Sequence, residues 1–485
     1  MTSQPASKND PALSPPGSHR GRLSVLEWLT VGHVGAFVVA TTWAFGGQAD
    51  WVRAPLAWWG TLGILITAVG IRDLIHRPGR NHAVLWWLLP FLVFNGLVIA
   101  GALNPSLREI RVDGELQYIP SASRAGWPSA AVPASALREL WIFDAIWVAC
   151  YNLALVIRRR RAIRGLLLLV VVNALVLSVF GTVQRLTRAT GLYFGAYSTR
   201  QNQFFASFVY HNHWGAFILL MMAACLALTW CYARRREARD IFHSPAFGGV
   251  VALLIMAATI PLSASRSSTI LGIILLGGAF LHWTIRFIRQ RRHFHESIAP
   301  ALLGAGVAGL VGLGGIVYLS RDTIVRRAEL TRTQLGEMRA NLQSDARVLL
   351  YRNTWRMARA KPWFGWGMAS YPYVFTLYNT QESVDGFPIY YHDAHSDWLQ
   401  SLAEHGVVGS ALLLLLAVLP LISVSRAEFA NPLSTYLLGG CVVVLLYAGV
   451  EFPFGNFAVV LTWWLCLFCG LRYALLRDPT PPAPA

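Results

Sequence analysis

The apolar residues of this chain come in blocks long enough to cross a bilayer, and that restricts its fold more than any motif does. A span needs roughly 20 apolar residues, and about twelve blocks meet that length. They centre near Phe37, Leu65, Phe94, Val148, Val172, Leu220, Ala257, Ile274, Val311, Leu415, Val443 and Trp464. Backbone N–H and C=O groups in hydrocarbon must bond within their own segment, so such blocks are helices. Composition agrees: 55% of residues are hydrophobic, 13% are charged, and the mean hydropathy is +0.46. The expected fold class is an all-α polytopic membrane protein with about twelve transmembrane helices and a long, partly helical outer loop.

Arginine placement orients the spans. The net charge is +17, and positive residues in short loops mark the cytoplasmic side. Arginines at 158–161 follow the fourth block, those at 234–236 the sixth, Arg286, Arg289, Arg291 and Arg292 the eighth, and Arg472 and Arg477 the twelfth. Arg77 and Arg80 follow the second, and Arg20 and Arg22 lie in the N-terminal segment. These exits share one face, so both termini are expected inside. The clusters read as solvated anchors beside membrane lipid, and no nucleic-acid partner is needed to explain them.

The complementary segments then face out: 104–136, 185–212, the turn "SASRSS" at 263–268, the long stretch 320–396, and "EFPFGN" at 451–456. The expected layout is a disordered cytoplasmic tail over 1–22, helices one to nine over 23–319, an outer loop with the catalytic region over 320–396, helices ten to twelve over 397–477, and a tail over 478–485. The leading tail is Pro/Ser-rich and lacks the apolar core of a signal peptide. All six cysteines fall in or beside spans, including Cys466-x-x-Cys469, which reads as small apolar packing.

Ionisable groups near membrane depth are costly and point to function. Arg266 interrupts the apolar stretch "ATIPLSASRSSTILGIIL" among small residues; it reads either as a snorkelling anchor or as a guanidinium that grips phosphate bidentately. Arg185, Arg188 and Arg200 precede His211, Asn212 and His213 at the mouth of a span. The arginines are either wet surface or part of an anion pocket; the Asn and His residues suit a helix cap with bonds across the bundle better than an H-x-H metal pair. In the long outer stretch apolar residues at helical spacing alternate with arginines, as in helices lying along a membrane interface; Arg347 and Arg352 are its candidates for contact with substrate. In "HDAHSDWLQSLAEHGVVG", at 392–409, a helical path would put His392, His395 and Ser396 on one face. Histidine, with an ordinary pKa of roughly 6.5, suits proton abstraction near neutrality. Asp393 or Asp397 would orient it. The plain alternative is a histidine that caps the next helix, in which Gly406 and Gly409 allow close packing or the start of a new span.

At these residues the chain resembles the O-antigen ligase/O-antigen polymerase superfamily of bacterial membrane glycosyltransferases. His395, Ser396, nine residues, Gly406 and Gly409 fit its signature H-[N/S/Q]-x9-G-x-x-G. "RVLLYRNTWRMARAKPWFGWGMASY" is similar to its R-x-x-x-W…P-x-x-G-x-G stretch, with Arg347 at the arginine and Tyr351 at the tryptophan. "SASRSS" resembles its S-R-x-x turn. "ASFVYHNHWGAF" resembles its G-x-F-x-N-x-N-x-x-A segment, with Ala206 at the glycine, Tyr210 at the first asparagine, Asn212 at the second and Gly215 at the alanine.

The resemblance implies a GT-C-like helical fold in the bacterial inner membrane with its site facing the periplasm. It implies transfer of a glycan from an undecaprenyl-diphosphate carrier to an acceptor hydroxyl on lipid A–core, on another lipid-linked glycan or on a protein, with inversion and without metal or cofactor. Diphosphate leaves readily once neutralised, so cations and one base suffice. Arg266, with Arg200 or Arg185, would hold the diphosphate, His395 would take the acceptor proton, and His211, Asn212, His213, Arg347, Arg352 and Ser396 would line the site. From the residues alone, a transporter or flippase of an anionic lipid-linked glycan is the competing class; it should show inverted repeats and helices broken in mid-span.

Overall fold

A computed structural model describes residues 23–76, 82–113, 115–199, 203–233, 245–293, 346–381, 389–424 and 431–476, with isolated positions between 299 and 325. The chain is a polytopic helical membrane protein: among the described residues ten helices are long and apolar enough to cross a membrane, and Pro432–Tyr447 is a shorter apolar helix. Eleven of the expected span centres fall inside these helices; Val311, the centre of the ninth, lies outside the described residues.

In chain order the helices are α1 (Val25–Trp43), α2 (Asp50–Thr61), α3 (Gly63–Ile75), α4 (Ala83–Trp86), α5 (Leu88–Ala102), α6 (Pro133–Val156), α7 (Arg160–Leu186), α8 (His211–Ala233), α9 (Pro245–Leu262), α10 (Arg266–His293), α11 (Ala346–Ala360), α12 (Asp397–Ile422), α13 (Pro432–Tyr447) and α14 (Phe457–Leu475). Their starts are written locally. Ser24 and Glu27 form a reciprocal capping box on α1, while Ser396, Asn431 and Asn456 accept backbone N–H bonds at the starts of α12, α13 and α14. Each satisfies a donor that the helix itself leaves orphaned.

Lipid-embedded helices gain little by hiding from lipid, so close packing and polar ties hold them together. Among the described spans helix α14 is the most enclosed, followed equally by α6 and α8. A Cβ on Gly440 of α13 would come within 2.5 Å of the Ala223 methyl of α8, so this glycine sets their approach. Asn173 of α7 joins α1 by donating to Thr42 Oγ1 and accepting from Trp43 Nε1, both at 2.9 Å. Asn152 of α6 donates to the Gly63 carbonyl at 2.8 Å, steadying the junction of α2 and α3.

Two sets of connections define two ends. At one end the Gln48 and Asn456 side chains bond, the Tyr193 hydroxyl donates to the Trp43 carbonyl, and Ser265 meets Tyr447. At the other, the Arg158 backbone N–H donates to Glu27 and Arg472 donates to the Ile157 carbonyl. The first end also carries structure that helical periodicity does not announce: a β-hairpin of β1 (Leu107–Val112) and β2 (Glu115–Pro120), antiparallel with Leu107 opposite Pro120. Leu107 joins Ala131, Leu350, Met357, Tyr371 and Phe375 in a small core under α11.

Candidate active site

The long outer stretch is fastened to α12 through backbone. Gly406 interrupts α12 with φ 62° and ψ −168°, and the chain around "PWFGWG" fills the break. Val407 and Val408 N–H donate to the Pro362 and Trp363 carbonyls at 2.8 and 3.0 Å, and Trp366 and Gly367 N–H donate to the Ala403 and Glu404 carbonyls at 3.0 and 2.8 Å. The approach admits no side chain: a Cβ on Gly365 would lie 2.4 Å from Glu404 backbone, and one on Gly406 would lie 2.5 Å from Trp363 backbone. The Glu404 carboxylate accepts from the Tyr371 and Ala369 N–H groups at 2.9 and 3.3 Å, tightening the same joint. The P-x-x-G-x-G and G-x-x-G patterns therefore mark two halves of one contact.

This joint carries α11 and the segment before α12 to the mouth of the bundle. Residues 391–396 are not helical, so His392, His395 and Ser396 do not share a helix face. Ser396 is the N-cap, accepting from Leu399 N–H, and a helix begins only after it. His395 instead takes the left-handed conformation, φ 51°, an uncommon backbone for a residue with a side chain. Its carbonyl accepts from the Tyr351 hydroxyl at 2.9 Å. His392 is exposed and meets the Tyr390 ring edge-on.

Neither aspartate expected to orient His395 does so. Asp397 accepts from the Phe454 N–H at 2.8 Å, and burial, partly offset by His395, His392 and a bond from Gln400, raises the pKa of Asp393. The carboxylate facing His395 belongs to Glu451, with Oε2 3.6 Å from Nδ1. Glu451 Oε1 accepts from Arg347 Nη2 at 2.9 Å. Only 3% of Glu451 is exposed, and burial pushes its carboxyl upward, but His395 and Arg347 together outweigh that and hold it below the usual carboxylate range. In return Glu451 keeps Arg347 above its ordinary value despite desolvation.

An aromatic wall encloses the pair. The Phe452 ring meets His395 and His213 edge-on at 4.7 and 5.0 Å and lies nearly parallel to Tyr210 at 5.4 Å. His213 Nε2 bonds the Phe452 carbonyl at 3.2 Å, which carries out the cross-bundle bonding expected of this segment. Asn212 donates to the Tyr210 hydroxyl at 2.8 Å, and buried His211 stacks on Tyr210. Ala206, at the pattern's glycine, has φ 52°, a conformation that glycine adopts without cost and that explains the preference for it there.

Arg266 starts α10 at this same end. The Ser265 hydroxyl lies 3.1 Å from the Tyr447 hydroxyl; Tyr447 in turn donates to the Asn212 carbonyl at 3.3 Å and accepts at its own carbonyl from Glu451 N–H at 3.0 Å. Gly215 permits this meeting, since a Cβ there would come within 2.4 Å of Ser268 Oγ. A continuous run of contacts thus links the turn beside Arg266 to the residue facing His395. Arg266 and Arg352 are exposed, as is Arg185 in the last turn of α7; Arg200 lies outside the described residues. Sequence reasoning passed over Glu451 and Phe452. The available signal was an acidic residue in "EFPFGN" at the mouth of a span.

A family model described as O-antigen ligase matches residues 251–414. No curated protein matches the chain. The matched segment takes in the Ser265–Arg266 turn, α11, the glycine joint and His395, and it ends before Glu451. The match supports placing residues 251–414 in the O-antigen ligase/polymerase superfamily, within a chain whose helices make it a polytopic membrane protein.

Proposed function

We propose that this protein transfers a glycan from a lipid diphosphate to an acceptor hydroxyl, with inversion, at the periplasmic face of the bacterial inner membrane. The observation that carries this reading is His395: a left-handed backbone holds it, a buried carboxylate faces its Nδ1, and it lies at the same bundle end as Arg266. A carboxylate on one ring nitrogen favours a proton there and leaves the other as a base. Nε2 then takes the acceptor's proton while the hydroxyl oxygen attacks the anomeric carbon. The bond from that carbon to the diphosphate oxygen breaks, and the departing charge falls to Arg266, with Arg185 and Arg200 as further guanidinium donors.

His395 and Arg266 act on the reacting atoms. Glu451 acts through His395 and is a positioning residue. Ser396 caps α12 at the rim, Asn212 braces the Tyr210 hydroxyl, and the Tyr210–Phe452 wall offers aromatic faces to sugar rings. The donor we assign is an undecaprenyl-diphosphate-linked glycan; the acceptor is lipid A–core, another lipid-linked glycan or a protein. The break in α12 does not favour a transporter, because backbone from residues 362–367 fills it.

The test is transfer by the purified protein in lipid nanodiscs, with a lipid-linked glycan as donor and lipid A–core or a second lipid-linked glycan as acceptor. His395→Ala should lower the rate by about 10²- to 10⁴-fold, the ordinary contribution of a positioned base. Unchanged transfer by folded His395→Ala and Arg266→Ala proteins would remove both residues from the mechanism. Movement of the intact lipid-linked glycan without glycosidic bond formation would favour the transporter class.

A further inference from the structure

Glu451 divides its carboxylate between two partners and serves them unequally. Oε1 is 2.9 Å from the Arg347 guanidinium, whereas Oε2 is 3.6 Å from His395 Nδ1, beyond hydrogen-bond length. Both Oε2 and Nδ1 are buried without a hydrogen-bond partner. Two unsatisfied polar atoms facing each other across so small a gap are costly to leave so. The backbones on either side are tied: the Asp397 N–H donates to the Ala448 and Glu451 carbonyls at 2.9 and 3.2 Å, and Tyr351 holds the His395 carbonyl. The more exposed partner of Glu451 is Arg347, near the start of α11, whose side chain is 53% exposed.

We propose that Glu451 is a donor-switched partner of His395: Arg347 draws the carboxylate away until an anionic diphosphate recruits the guanidinium and lets Glu451 close on Nδ1. A guanidinium prefers a multiply charged phosphate to a shared carboxylate. Once released, the carboxylate fixes the proton on Nδ1, leaves Nε2 as the base and stabilises the imidazolium formed as the acceptor proton arrives. The base is thus fully armed only with donor in place. This rests on the glycosyl-transfer reading above.

Several groups surround His395 and must be separated from this effect. They are His392 and Asp393 on its own segment, Asp397 of α12, Arg347 and Tyr351 of α11, Tyr210, His211 and His213 at the start of α8, and Glu451 between α13 and α14. A double-mutant cycle isolates the path through Glu451. Diethyl pyrocarbonate modification of the His395 peptide, followed by mass spectrometry across pH, would read the protonation of this residue in wild type, Arg347→Gln, Glu451→Gln and the double variant.

Arg347→Gln should raise the His395 midpoint by about one pH unit, a tenfold change in proton affinity. Glu451→Gln should lower it, and the double variant should match Glu451→Gln. Added inorganic pyrophosphate should move wild type toward the Arg347→Gln value. An Arg347→Gln effect equally large in the Glu451→Gln background would reveal direct charge repulsion and overturn the switch, as would no effect at all. Wild-type transfer and its loss in His395→Ala are measured alongside. Their failure counts against the transfer reading, whereas intact transfer with uncoupled midpoints counts against the switch alone.

Discussion

Both ends of the bundle pair arginine with carboxylate, but only one completes the pairing. At the end holding Arg158, Glu27 is 1% exposed and both of its oxygens are used, Oε2 by Ser24 N–H and Oε1 by Arg158 N–H, each at 2.9 Å. The Arg158 side chain pairs with Asp73, Arg472 donates to the Ile157 carbonyl, and Arg160 lies over the Tyr473 ring at 4.8 Å. At the other end Glu451 is just as hidden, yet Oε2 is without a hydrogen-bond partner and faces a histidine in the same condition. A buried carboxylate with both oxygens satisfied is a fastener. One left half satisfied, beside a titratable ring and a strained backbone, is where a fold stores the means to react.

The largest break in this comparison should come from the joint that carries the reactive end. Gly406→Ala places a side chain on a left-handed backbone, at about 1–2 kcal/mol, and forces it against Trp363 backbone, at about 1–3 kcal/mol more. Proteolysis of the outer stretch, followed against thermal melting of the helices, should show that stretch loosening first. Gly96, beside which an added Cβ would meet nothing within 4 Å, is the control and should tolerate alanine.

Next in size, Glu451→Gln should cut transfer by roughly tenfold or more with little change in melting temperature. Glu27→Gln should do the reverse, costing about 1–3 kcal/mol of stability through its lost acceptors and leaving transfer per folded molecule unchanged. Equal effects of the two substitutions on transfer would erase the distinction between the ends.

Acid should separate the ends more gently. The Glu451 pKa is held below its ordinary value, so the stability it contributes is fully present above the usual carboxylate range and is lost as pH falls through the lowered folded value. Acid melting curves of wild type should be steeper than those of Glu451→Gln. The smallest effect concerns Lys361, beneath the joint, which donates to Ser129 Oγ at 2.7 Å and which burial pushes down from 10.5 to about 8. Between those values the unfolded chain holds the proton that the folded chain has released, so stability rises with pH there. Lys361→Met should flatten that rise in melting temperature.

The contrast also marks what the sequence could reveal. Spans are legible because hydrocarbon demands runs of apolar residues, and eleven expected centres lie in helices for that reason. Loop parity placed Arg266 and His395 at one end, because each span reverses the chain. The partner of His395 was not legible: Asp393 and Asp397 are its neighbours in sequence, but Glu451 reaches it from beyond α12 and α13. No periodicity encodes that contact. The "HDAHSD" string also invited a helix, although Ser396 caps the helix only after the histidine. The G-x-x-G pattern suggested close packing, but nothing in it encodes that Gly406 opens α12 to receive a second stretch of backbone.

On the proposed function, the half-satisfied end performs glycosyl transfer through His395 and Arg266. Its most direct test is single-turnover transfer from a lipid-diphosphate glycan in nanodiscs, comparing wild type with folded His395→Ala and Arg266→Ala. Wild type should form glycosidic product at rates about 10²- to 10⁴-fold above His395→Ala, with a comparable loss in Arg266→Ala. Wild-type rates in both variants would contradict it.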